Sequence, residues 1–97
     1  MSQTPAEKEI LKDFGAEVQR FREDRRLSQE EFAACMGIST RQLQKIEKGL
    51  PRTSILSWLR FLVLMKPETQ ESFYQRFMPM AQKKFGIKPL RRGDTSL

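Results

Sequence analysis

Two Ser-x-x-Glu/Gln patterns, Ser28 with Glu31 and Ser39 with Gln42, stand eleven residues apart with Gly37 between them. In each, the serine hydroxyl can accept from the backbone N–H three residues on while the longer side chain reaches back to the serine N–H. Each therefore marks a helix start. Gly37 supplies the left-handed backbone conformation at which the first helix stops. The stretch Leu27 to Gly49 is thus predicted to hold two short helices, Gln29 to Met36 and Thr40 to about Lys48, joined by a tight turn over Met36 to Ser39. Gly49 and Pro51 stop the second.

Helical periodicity sorts the second helix into two faces. Leu43 and Ile46 fall together, and Arg41, Gln44, Lys45 and Lys48 lie opposite at i, i+3, i+4 and i+7, with Thr40 at the leading edge. A charged outward face is most often simply solvated. Here its three cations have no acid beside them, because Glu47, the one acid of this helix, lies nearer the inward side. Residues 28–48 have the outline of a DNA-binding helix-turn-helix.

Charge supports a polyanionic partner. The 97 residues hold 18 Lys/Arg against 12 Asp/Glu, a net +6 with pI near 9.9. Residues 1–24 sum to −2, and residues 25–60 and 61–97 to +4 each, so the positive field begins with the two-helix unit. Nucleic acid comes first as partner, an acidic membrane surface second. Cys35 is the single cysteine and there is no histidine. An internal disulfide is therefore impossible, metal-type spacing is missing, and Cys35 is expected to be small core filler in a reducing, cytoplasmic setting. No general base, nucleophile or phosphate-cradling Gly loop stands out, so neither an enzyme nor a cofactor is expected. The longest apolar run, Phe61 to Met65, is far too short for a membrane span, and the N-terminus lacks the apolar core of a secretion signal.

The flanking segments read as helices too. Thr4-Pro5-Ala6-Glu7 starts helix 1, whose inward stripe is Ile10, Phe14, Val18 and Phe21, with Leu11 beside it. Gly15 implies either close packing or a bend. Thr53 or Ser54 caps helix 4, which is apolar nearly all round from Ile55 to Leu64 and is expected to meet another subunit with part of its surface. Lys66-Pro67-Glu68 opens a fifth helix carrying Phe73, Tyr74, Phe77 and Met78 up to Pro79, either a lid on helix 4, a dimer arm or the completion of the monomer core. The expected architecture is all-α: a compact bundle of about five helices in residues 1–82, then a basic flexible tail over 83–97. Trp58, Phe61, Leu62, Phe73 and Phe77 are the candidate dimer interface.

The segment from Phe14 to Leu64 resembles the lambda-repressor-like (Cro/C1, XRE-type) helix-turn-helix transcriptional regulators. The likeness rests on Phe14-Gly15, Arg22, Leu27-Ser28-Gln29-x-x-Phe32-Ala33, Gly37-Ile38-Ser39, Leu43, Ile46-Glu47-x-Gly49 and Pro51. It implies a homodimer on a palindromic double-stranded operator, most simply a repressor that blocks polymerase. By that resemblance Thr40, Arg41, Gln44 and Lys45 face bases or adjoining backbone, Gln29 touches a phosphate and braces helix 3, and Arg22 pairs with Glu47. Lys48 and Arg52 join Gln29 as expected phosphate contacts. Where relatives commonly have Gly before Leu-Ser-Gln, this chain has Arg26. The alternative is an antitoxin-type module in which an apolar C-terminal surface around Phe73, Phe77 and Met80 binds a different protein. RNA is a weaker candidate, since the aromatic-rich sheet or arginine-rich arm suited to it is missing.

Overall fold

A computed structural model of the chain describes residues 4–50 and 54–90 and resolves five helices: α1 (Pro5–Asp24), α2 (Gln29–Met36), α3 (Thr40–Glu47), α4 (Ile55–Leu64) and α5 (Pro67–Phe85). No strand appears among the described residues. The starts follow local chemistry. Thr4, Ser28 and Ser39 each form a complete capping box, with Glu7, Glu31 and Gln42 respectively, and Ser54 caps α4 by accepting from the Ser57 N–H at 3.2 Å.

All five helices converge on one core. It takes Ile10, Phe14 and Val18 from α1, Phe32, Ala33 and Met36 from α2, Leu43 and Ile46 from α3, Phe61 and Met65 from α4 and its cap, and Phe73, Phe77 and Ala81 from α5. Phe14 is its centre. The Trp58 ring stacks on it with centroids 3.7 Å apart, while Phe61 and Phe77 meet it edge-on at 5.5 and 6.1 Å. Such aromatic pairs add roughly 0.5–1.5 kcal/mol each beyond the area they bury.

Gly15 resolves as close packing, and α1 runs through it unbroken. A Cβ there would overlap the Ile46 carbonyl oxygen and lie 2.8 Å from that of Glu47. The missing side chain is what lets α1 lie against the last turn of α3.

Three expectations are revised. Pro79 does not end α5, which continues to Phe85 and closes on Gly86, with the Ile87 N–H donating to the Gln82 carbonyl at 3.1 Å. A proline inside a helix costs about 3 kcal/mol. Here Pro79 and Gln75 are both exposed, so the Gln75 carbonyl deprived of its donor can turn to water. Burial of Phe73 and Phe77 before it and Ala81 after it holds the helix on course. Lys83 and Lys84 consequently lie in the last turn of α5, where Lys84 Nζ donates to Asp13 Oδ2 at 2.6 Å and pins α5 to α1.

The candidate dimer residues are the second revision. Phe61, Phe73 and Phe77 are buried in the monomer core, Trp58 stacks on Phe14, and Leu62 packs against the same cluster. α5 completes the core of its own chain. The apolar residues α4 leaves uncovered are Ile55, Leu56, Leu59 and Val63, which are 53–79% exposed. Third, Cys35 is exposed and fills no core space, which Ala33 and Met36 occupy on the opposite side of α2.

Candidate nucleic-acid interface

α3 is oriented by what it buries. Leu43 and Ile46 are sunk in the core, and the opposite face turns Arg41, Gln44, Lys45 and Lys48 fully outward, with Thr40 half-exposed at its start. The side chains of Arg41, Lys45 and Lys48 make no ion pair or hydrogen bond with any described residue. Three cations held on one ridge without counter-charge form a surface suited to phosphate and to base-edge acceptors. Arg52 lies outside the described residues.

The ridge is anchored through its inner edge. Arg22 on α1 reaches Glu47 at the end of α3 with two bonds, Nε to Oε2 at 2.7 Å and Nη2 to Oε1 at 3.2 Å, and donates Nη1 to the Leu27 carbonyl at 2.9 Å. One guanidinium therefore ties α1, the α1–α2 connector and α3 together. The pair is nearly dry, with the side chains 12% and 4% exposed. The hydrogen bond to Glu47 raises the Arg22 pKa further above its already high value, so the guanidinium stays charged at any working pH.

Gln29, the first residue of α2, extends this pair outward. Its Nε2 donates to Glu47 Oε1 at 3.0 Å, and its Oε1 accepts from Gln44 Nε2 at 3.3 Å. The brace joins α2 to α3 at the residue that looks outward. Sequence periodicity could not have found this link, because Gln29 and Gln44 sit on different helices. The expectation that Gln29 braces α3 comes from the family resemblance, which the position of Gln29 at the start of α2 carries.

The turn is fixed from both sides. Gly37 has φ +71°, and the Ile38 N–H closes on the Ala33 carbonyl at 3.0 Å. Arg60 of α4 donates Nη1 to the Met36 carbonyl at 3.1 Å, placing a cation on the negative end of α2. A Cβ on Gly37 would come within 2.7 Å of that nitrogen. The role of Arg60 was not foreseen, since nothing within α4 marks one arginine as the cap of another helix.

The connector before Leu27 has the same geometry as the ends of α2, α3 and α5. Arg26 has φ +55°, its N–H donates to the Glu23 carbonyl at 2.9 Å, and the Leu27 N–H donates to that of Arg22 at 3.2 Å. This is the hydrogen-bond pattern Gly usually closes, with an arginine in the left-handed position.

Among comparisons with known proteins, a family model described as a helix-turn-helix domain matches residues 13–65, from the middle of α1 to the end of α4. Neither the curated proteins nor the solved structures give a match. No described helix is long and apolar enough to cross a membrane. The matched span contains the capped pair α2–α3, the ion pair that anchors it and the outward cationic ridge, and so the chain belongs to the helix-turn-helix domain family, in the lambda-repressor-like arrangement of DNA-binding regulators.

Proposed function

We propose that this chain is a sequence-specific transcriptional repressor that binds double-stranded DNA as a homodimer and places α3 in the major groove. The observation that supports it is the unpaired ridge of Arg41, Lys45 and Lys48, held rigid from behind by Arg22 and Glu47. Lys48, Arg52 and the N-terminal amides of α2 dock on phosphates, with Gln29 beside them. Thr40, Arg41, Gln44 and Lys45 read base edges. Arg41 suits guanine O6 and N7, and Gln44 suits adenine.

The surface we assign to the second copy is the α4 row Ile55, Leu56, Leu59 and Val63. α4 contains no acid, and its one cation, Arg60, is directed at the end of α2, so the row can meet its own copy without opposing charges. An antitoxin-type reading would place a different protein on the same row, because Phe73 and Phe77 are buried. A stoichiometric foreign partner co-purifying from the native host would favour that reading.

Selection of bound duplexes from a random pool tests the main reading. Two like half-sites centred about 34 Å apart are expected, one turn of the duplex. A pool that shows no enrichment over several rounds would sink it.

A further inference from the structure

Beyond the helix-turn-helix, α5 borders two apolar features that its own chain leaves uncovered, one concave and one protruding. The first is a groove of about 400 Å³ between the start of α1, the start of α4 and the second half of α5. Leu11, Ile55, Trp58, Met78 and Phe85 wall it, and Glu7 is the one charged group among the described residues that line it. Glu7 Oε1 accepts from the Thr4 N–H at 2.8 Å, but the carboxylate has no cationic partner among the described residues. The second feature follows Gly86. Ile87 and Leu90 are each 61% exposed, with Lys88 and Pro89 between them, and Lys88 makes no ion pair with a described residue.

The two features match in length and in charge. Pro89 fixes its own φ and keeps Lys88 out of the helical region, so Ile87 to Leu90 is disposed to an extended, polyproline-type course. With three residues per turn, that course sets Ile87 and Leu90 on one side about 9 Å apart and turns Lys88 away from them. The groove wall from Met78 to Phe85 covers about 10 Å of helix. Two anchors at that spacing fit it, and the cation between them reaches the rim where Glu7 lies. Within its own chain the segment does not do this. The Ile87 N–H is tied to the Gln82 carbonyl at 3.1 Å, which holds Ile87 at the end of α5, and neither anchor lines the groove.

We propose that Ile87 to Leu90 of one copy docks in the α1–α4–α5 groove of a second copy, and the second copy returns the same contact. This rests on the homodimer reading. Ile55 belongs both to the groove and to the α4 row assigned to the second copy, so a partner seated on that row lies beside the groove. A two-fold axis makes the exchange reciprocal. Ile87 and Leu90 supply the affinity, and the exposed Lys88 to Glu7 pair mainly sets direction.

The test uses the full chain in two defective forms. The double change Ile87→Ser with Leu90→Ser spoils the segment and keeps the groove. Met78→Lys spoils the groove by placing a cation against Lys88 and keeps the segment, with Phe85→Ser as a second groove variant. All sites are exposed to some degree, and thermal melts verify folding. Sedimentation equilibrium should show each form dimerising at least about 100-fold more weakly than the native chain, from the loss of two buried anchors. A mixture of the segment variant with a groove variant should regain about tenfold or more, because the mixed dimer holds one intact pair. Trp58, the single tryptophan, lines the groove, so its emission should change as the native chain dimerises and stay constant in the segment variant. A mixture no tighter than its components overturns the exchange and leaves the segment on its own chain. Variants that dimerise as the native chain does overturn this proposal alone and leave the α4 row as the interface. A native chain that is monomeric at every concentration removes the homodimer and this proposal with it.

Discussion

Arg26 occupies a left-handed backbone position, φ +55°, and makes no side-chain bond with a described residue that would hold it there. A non-glycine residue in that region sits about 1–2 kcal/mol above its preferred conformations. Gly has no such penalty but loses more freedom on folding, by roughly 0.5–1 kcal/mol. The balance favours Arg26→Gly by about 0.5–1 kcal/mol, a rise of a few degrees in melting temperature for a domain of this size. Calorimetry showing a lower melting temperature would contradict the assignment of strain to this residue. At the surface, Arg41 has no partner to lose when it is truncated, so Arg41→Ala should leave the melt within about 0.5 kcal/mol of the native chain. On the preferred operator the same change should remove about 1–3 kcal/mol of binding, with discrimination relaxed at one base pair. Gel-shift titrations weakened equally on every single-base variant would instead place Arg41 on a phosphate.

At the scale of the helices, the α1–α3 contact decides whether the ridge is held at all. In an isolated helix Gly15→Ala would gain about 1 kcal/mol. Here the added Cβ meets backbone oxygens of Ile46 and Glu47, which cannot rotate away, so the change should lower stability by about 1–3 kcal/mol. Urea unfolding should show a lower midpoint at an unchanged slope, and a raised midpoint would mean the two helices can separate without penalty. The caps add a pH dependence. Bonds from the Ser28 N–H, and then from the Ser28 hydroxyl, hold the Glu31 pKa below its ordinary 4.5, and Thr4 does the same for Glu7. A lowered folded value means the contribution is complete above 4.5 and is lost as pH falls through the folded value. NMR titration placing the Glu31 carboxyl at or above 4.5 would remove this contribution. These starts were legible because a capping box is a local pattern, and the two faces of α3 because Leu43 and Ile46 repeat at helical spacing. Local patterns failed where distant groups decide. Pro79 looks like a stop until Ala81 and Lys84 are seen docked on α1, and Cys35 looks like filler until α2 is turned so that Ala33 and Met36 face the core.

For the whole molecule, two forces should respond to salt in opposite directions. Each copy carries +6, so two copies repel, and the repulsion is screened beyond about 10 Å at 0.1 M salt. An apolar contact through Ile55, Leu56, Leu59 and Val63 is not weakened by that screening. The dimer should therefore tighten as salt rises. Binding to DNA should loosen, with log K falling by about 0.9 per phosphate contact for each unit of log salt. Sedimentation equilibrium across a salt series separates the two effects. Leu59→Glu adds a carboxylate to the centre of the row on each copy, where two like charges meet across a two-fold axis. It should shift the native dimer to monomer and abolish cooperative filling of paired half-sites. Because Leu59 is 53% exposed, the variant should still fold, with stability changed by about 0.5 kcal/mol or less. A native chain that stays monomeric at every salt concentration, on DNA as well as free, would remove the homodimer. A Leu59→Glu chain that remains dimeric would move the interface off α4.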